Sequence, residues 1–166
     1  MEDARWGQPL DLSDLAADVD PSTPAIWTPE GTITYGELVT LVRQQQSRLP
    51  DRRSLILLAV DNSWGSIVSY LACIASDLPT ILLPHGDDNF LSEVALQYDA
   101  NFLVDGPSGR VTHRSATEHK LHPELQILLS TSGSTGSPKL VRLSEKNLTA
   151  NATSIAQALN LSKEDR

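Results

Sequence analysis

Residues 125 to 144 read LQILLSTSGSTGSPKLVRLS, and the reading of this stretch decides the fold. Gln126 to Leu129 suits a buried strand, and Leu140 to Leu143 reads Leu-Val-Arg-Leu, so extended chain is predicted on both sides of a Ser, Thr and Gly run. The loop between is held at both ends. Gly133 and Gly136 lack a side chain, so their backbone can take positive φ and bring N–H groups close to an anion that a Cβ would push away. Thr131, Ser132, Ser134, Thr135 and Ser137 add hydroxyl donors, and Lys139 adds a point charge on a flexible stem. Every one of these residue types suits a polyphosphate.

The spacing is not that of a Walker loop, in which Gly, four residues and then Gly-Lys-Ser/Thr lead into a helix. Here Pro138 stands five residues after Gly133 and a strand follows, so a P-loop NTPase is disfavoured. Flexible linkers share this composition, but they seldom lie directly between two apolar strands.

The 166 residues are enough for one domain with a sizeable core, and 40% apolar against 20% charged content is ordinary for a globular chain. A formal charge of -8 and a pI near 4.8 speak against a nucleic-acid surface, which needs clustered Lys and Arg. An anionic ligand must then be held by local donors and not by the overall field. The single cysteine, Cys73, lies in the apolar run YLACIAS and reads as a buried, inert thiol; one cysteine builds neither a disulfide within the chain nor a Cys-based zinc site. The acidic start MEDARWGQPLDLSDLAADVD does not resemble a signal peptide, and no apolar run approaches the ~20 residues of a membrane span. A cytoplasmic location is expected, which makes the Asn-x-Ser/Thr triplets at Asn147, Asn151 and Asn160 chance matches.

Taken in order, residues 1 to 24 are broken by Pro9, Pro21 and Pro24, with one short helix expected around Leu12 to Ala17. Ala25 to Thr28 and Thr32 to Thr34 read as a hairpin around Pro29-Glu30-Gly31. Thr34 and Glu37 have the spacing of a capping box before a helix from about 35 to 49. SLILLAV, 54 to 60, is apolar enough for a strand buried on both faces in a parallel sheet. Asp61, Asn62 and Ser63 provide a turn and cap for a helix over 64 to 76, Thr80 to Leu83 is a further strand, and a third helix covers Phe90 to Tyr98 before the strand Asn101 to Val104. The predicted fold class is therefore α/β, an open, largely parallel sheet flanked by helices.

The loop after Val60 lacks the glycine fingerprint of a Rossmann site. Residues 107 to 124 read as a solvated connector. Its His113, His119 and His122 are not taken as a metal site, because Arg110, Arg114 and Lys120 would oppose a divalent ion. His85, between Pro84 and Gly86, reads as a loop residue and not as a general base. Ser144 is expected to cap a helix over Glu145 to Leu159 with Leu148, Ile155 and Leu159 on its inner side.

TSGSTGSPK at 131 to 139 resembles the signature loop of the adenylate-forming superfamily, which includes acyl-CoA and aryl-CoA synthetases, luciferases and the adenylation domains of peptide synthetases. ITYGEL, 33 to 38, resembles that family's Thr-Tyr-x-Glu-Leu element. LACIASDLPTILLP, a helix and then NFLVDG are similar to its order of elements. The chain departs from the family at Ser76-Asp77-Leu78, where Gly is frequent, at Leu140, which is often Gly, and at Glu145, where Ser-His-x-Asn-Leu is common.

The resemblance implies that Thr131, Ser132, Gly133, Ser134, Thr135, Gly136 and Lys139 embrace the β and γ phosphates of ATP with Mg²⁺. A carboxylate then attacks the α phosphate to give an acyl-adenylate and pyrophosphate, and the acyl group passes to the thiol of CoA or of a carrier protein's phosphopantetheine arm. It also implies an N-terminal fragment of the AMP-binding domain, 1 to 166, as a single α/β unit. Family members are considerably longer, and no catalytic residue or metal ligand is assigned within this chain. Phosphate donors without an adenine grip and an acyl pocket cannot orient a carboxylate, so the piece alone is expected to be inactive and, with apolar surface exposed, to self-associate. A phosphate-binding module without chemistry, or a structural interaction remnant, are the alternatives.

Overall fold

Ile56–Val60, the centre of the SLILLAV run, is the strand around which the sheet is built. A computed structural model describes residue 17, residues 19–130 and residues 139–161. The elements are β1 (Pro24–Thr28), β2 (Gly31–Thr34), α1 (Tyr35–Gln46), β3 (Ile56–Val60), α2 (Trp64–Ala75), β4 (Thr80–Pro84), α3 (Asp88–Gln97), β5 (Phe102–Asp105), β6 (Arg110–His113), β7 (Leu125–Ser130), β8 (Leu140–Ser144) and α4 (Glu145–Ala158). The short helix expected around Leu12 to Ala17 lies outside the described residues, apart from Ala17, which is in a turn.

β1 and β2 form the expected antiparallel hairpin, and the other strands form one sheet in the order β6-β5-β3-β4-β7-β8. The β5–β3, β3–β4 and β4–β7 pairs are parallel, whereas β6 and β8 add antiparallel edges. The sheet is thus mixed, with the expected parallel centre.

The reason β3 is central lies in its side chains. Ile56, Leu57 and Leu58 are fully buried, which requires cover on both faces. Ile56 and Leu58 point into a core with Leu38 and Val42 of α1 and Val68 and Ala72 of α2. Leu55, Leu57 and Ala59 point the other way, into a core with Leu91, Val94 and Ala95 of α3. The crossovers through α2 and α3 therefore lie on opposite faces of the sheet.

Helix boundaries follow local chemistry. Glu37 N–H donates to Thr34 Oγ1 at 3.3 Å and Thr34 N–H donates to Glu37 Oε2 at 2.8 Å, completing the predicted capping box. Ser63 caps α2 and Asp87 caps α3. α2 ends as Asp77 turns into the left-handed region at φ 50°, with Leu78 N–H donating to Cys73 O at 3.0 Å. This conformation suits glycine, and here a non-glycine residue adopts it. Cys73 is fully buried, and burial pushes its thiol up to about 12.

Two expectations are corrected. Residues 107 to 124 are not all solvated connector, because Arg110–His113 pairs with β5 as the edge strand β6. Only Val111 in it is aliphatic, since an edge strand faces solvent along one side and needs little apolar content. The rest of the stretch is pinned: Asn101 Nδ2 donates to Ser115 O and Thr117 O, and Arg53 donates to Pro123 O and Leu125 O. The three histidines are spent separately, His113 edge-on to Phe102, His119 on the Asp99 carbonyl and His122 on Glu124 N–H.

The second correction concerns α4. Its Ser144 cap forms, with Asn147 closing the box, but none of its residues is buried. Of the residues expected on its inner side, Leu148 is half-buried, while Ile155 is 48% exposed and Leu159, just past the helix, is 65% exposed; the helix packs chiefly on the edge strand β8.

Candidate phosphate-binding edge of the sheet

Parallel pairing brings the carboxyl ends of β3, β4, β5 and β7 to one edge of the sheet. α2 and α3 depart from there to opposite faces, which opens the crevice where α/β sheets take ligands. The 131–139 stretch begins at the same edge. Ser130 pairs with Leu140 and Leu129 with Val141 across the antiparallel β7–β8 ladder, so the loop is closed at its base by paired backbone. Lys139 is exposed immediately before β8. Thr131, Ser132, Gly133, Ser134, Thr135 and Gly136 lie outside the described residues, so of the expected phosphate-binding positions Lys139 is the one with a described place.

Three neighbouring loops at this edge bring together residues that sequence reading treated separately. His85 N–H donates to Val60 O at 2.8 Å, fixing the loop after β4 against β3. The imidazole Nε2 lies 3.0 Å from Asp105 Oδ1 at the end of β5, and Ser108 Oγ donates to Asp105 Oδ2. After β3, Asp61 accepts from the Ser63 and Ser66 hydroxyls and from Ser63 N–H. The Ser63 hydroxyl, then its N–H and then the Ser66 hydroxyl hold the Asp61 carboxyl down to about 2.

Most of these donors and acceptors are spent on fixing the loops. The turn after β5 is seated on α2, where Ser69 Oγ donates to Gly106 O at 2.9 Å, and on α1, where Gln45 Nε2 donates to Gly109 O at 2.9 Å. Sequence reading took Asp61 as a turn residue and His85 as a loop residue, and it did not bring Asp105 to them. Their positions directly after or at the end of strands β3, β4 and β5 were the available signal. Among the described residues no three His, Cys, Asp or Glu side chains are grouped to hold a metal ion.

This mixed sheet flanked by helices is the architecture of the N-terminal domain of adenylate-forming enzymes. The chain superposes on VinN, solved with 3-methylaspartate, with a TM-score of 0.72 at 22% identity, over 98% of this chain and 55% of that one. It matches MenE, the O-succinylbenzoate coenzyme A synthetase of Bacillus subtilis solved with AMP, with a TM-score of 0.72 at 20% identity, over 96% of this chain and 48% of that one.

In sequence it is 25% identical over 182 residues to D-lysergyl-peptide-synthetase subunit 1 of Claviceps purpurea, covering 88% of this chain and 6% of that protein. It is 28% identical over 173 residues to nonribosomal peptide synthetase GRA1 of Gibberella zeae, covering 88% of this chain and 2% of that protein. No protein-family model matches the chain. The resemblance to adenylate-forming proteins therefore holds in sequence along most of the chain and in fold along nearly all of it, while the chain spans only a small part of the peptide synthetases and about half of the two solved chains. Among the described residues no helix is long and apolar enough to cross a membrane.

Proposed function

We propose that these residues are the N-terminal, phosphate-gripping part of an ATP-dependent acyl-adenylate-forming ligase. The supporting observation is the antiparallel β7–β8 ladder, whose Ser130–Leu140 pair brings the residues flanking TSGSTGSPK together at the carboxyl edge of the sheet's parallel centre. In this reading the loop hydroxyls and N–H groups bind the β and γ phosphates, and Lys139 neutralises their charge. Mg²⁺ enters as part of the MgATP substrate. The carboxylate attacks the α phosphorus and pyrophosphate leaves, giving an acyl-adenylate; a thiol of CoA or of a carrier protein then attacks the acyl carbonyl, and AMP leaves as the thioester forms. Thr131, Ser132, Gly133, Ser134, Thr135, Gly136 and Lys139 are the proposed contacts.

Holding the leaving phosphates contributes only part of what the reaction needs, because rate comes from fixing the attacking carboxylate and the α phosphate together. The 166-residue chain is expected to bind MgATP in a calorimetric titration and to show no acid-dependent ATP–pyrophosphate exchange. Exchange with an added carboxylic acid would mean that these residues suffice for the whole step. Absence of any ATP binding would refute the phosphate-loop reading.

A further inference from the structure

Beside the start of α2, a recess of about 780 Å³ lies between the β1–β2 hairpin and α1, with the Trp64 side chain as one wall. Ile33, Leu41 and Trp64 form its apolar centre. Trp64 is 42% exposed although it opens a helix with six buried residues, and Ile67, one turn on, is 41% exposed. A second recess of about 190 Å³ shares Leu41 and Trp64 and reaches Arg48. The two make one groove along α1, whose 12 residues span about 18 Å.

Charge along this groove is ordered. Glu30 and Glu37 line the hairpin end, which has no Lys or Arg in its lining, while Arg48 stands at the far end. Glu37 keeps its carboxylate ionised, because Thr34 N–H and hydroxyl hold its pKa below the ordinary value. Trp64 in one lining with Glu30 and Glu37 favours a cation with an apolar stem, and Glu37 and Leu41 stand one turn apart on α1 while Arg48 lies just beyond its end.

From these features we infer that the groove is a docking site for an amphipathic segment of another protein. Its apolar side chains cover Trp64 and Leu41, a Lys or Arg at one end faces Glu30 and Glu37, and an acidic residue at the other end faces Arg48. The residues of this surface are other than the proposed phosphate contacts, and the inference does not depend on the ligase reading.

The test uses the full chain and two labelled helical peptides of about 14 residues with Leu at i, i+3, i+4 and i+7. One carries Lys at the end that meets Glu30 and Glu at the other, and the second has these charges exchanged. Fluorescence anisotropy should show the first binding about tenfold more tightly, and Trp64→Ala should weaken it about tenfold. Glu30→Lys should shift preference toward the exchanged peptide. Both substitutions are at exposed positions, and unchanged far-UV circular dichroism confirms that the variants are folded.

No binding of either peptide, equal binding of both, or binding indifferent to both substitutions would overturn the inference. So would hydrogen-exchange protection of residues 1–16 that is lost in Trp64→Ala, which would give the groove to the chain's own N-terminal stretch. Self-association abolished by the same substitution would give it to a second copy.

Discussion

A Cβ at Gly65 would lie 2.1 Å from the Pro107 carbonyl oxygen, and one at Gly106 would lie 2.4 Å from that of Ala59. In both cases the obstacle is backbone, which cannot rotate away as a side chain would. Gly65→Ala or Gly106→Ala is expected to lower stability by about 3 kcal/mol, read as a fall in the urea midpoint at unchanged m-value. Asp61 adds a dependence on pH. Its folded pKa is depressed to about 2, so its contribution is complete above the unfolded value near 4 and is lost as pH falls through about 2. Asp61→Ala should flatten the decline of the urea midpoint across that window. Lys139→Ala should leave the midpoint unchanged, because the residue is exposed, while weakening MgATP binding about tenfold in calorimetry. Equal affinity for the variant and the parent chain would remove Lys139 from the proposed contacts.

Among the elements, β5 and the connector after β6 are joined through one buried amide. Asn101 is 2% exposed; its Oδ1 accepts from Leu55 N–H at 2.9 Å and its Nδ2 donates to Thr117 O at 2.8 Å. Asn101→Ala leaves the buried Leu55 donor unmatched and should cost about 3 kcal/mol, with amide exchange at Leu55 accelerating first. Elements of this sheet were legible in proportion to how local their causes are. The Thr34–Glu37 box and the SLILLAV run carry their signals within a few residues, and both were read correctly. β6 was missed because Arg-Val-Thr-His becomes a strand only through its β5 partner. The α4 cap was legible, but the cover for its apolar residues depends on what surrounds β8. The Asp61, His85 and Asp105 grouping depends on strand order, which no stretch of sequence states.

At the scale of the molecule, several exposed apolar residues belong to β7, β8 and the end of α4. Leu129, Val141, Ile155 and Leu159 are between 38% and 65% exposed, and α4 has no buried residue. Such a patch favours association. Sedimentation velocity over a concentration series should show the chain forming larger species, and Ile155→Lys with Leu159→Lys should return it to monomer. Monomeric behaviour of the parent chain at the highest concentration would show that the patch is too small to associate.

The alternation along β3 gives the sheet a phase. Leu55, Leu57 and Ala59 serve the α3 side while Ile56 and Leu58 serve the α1 and α2 side, and the strand between them is the partition. Threading β3 one residue out of step would hand each compartment the other's contents, leaving a gap on one side and a surplus on the other at once. Neither compartment can therefore be repaired by slippage, and a double-mutant cycle of Ile56→Val with Leu57→Ala, read in urea midpoints, measures how far the shared strand couples the two sides.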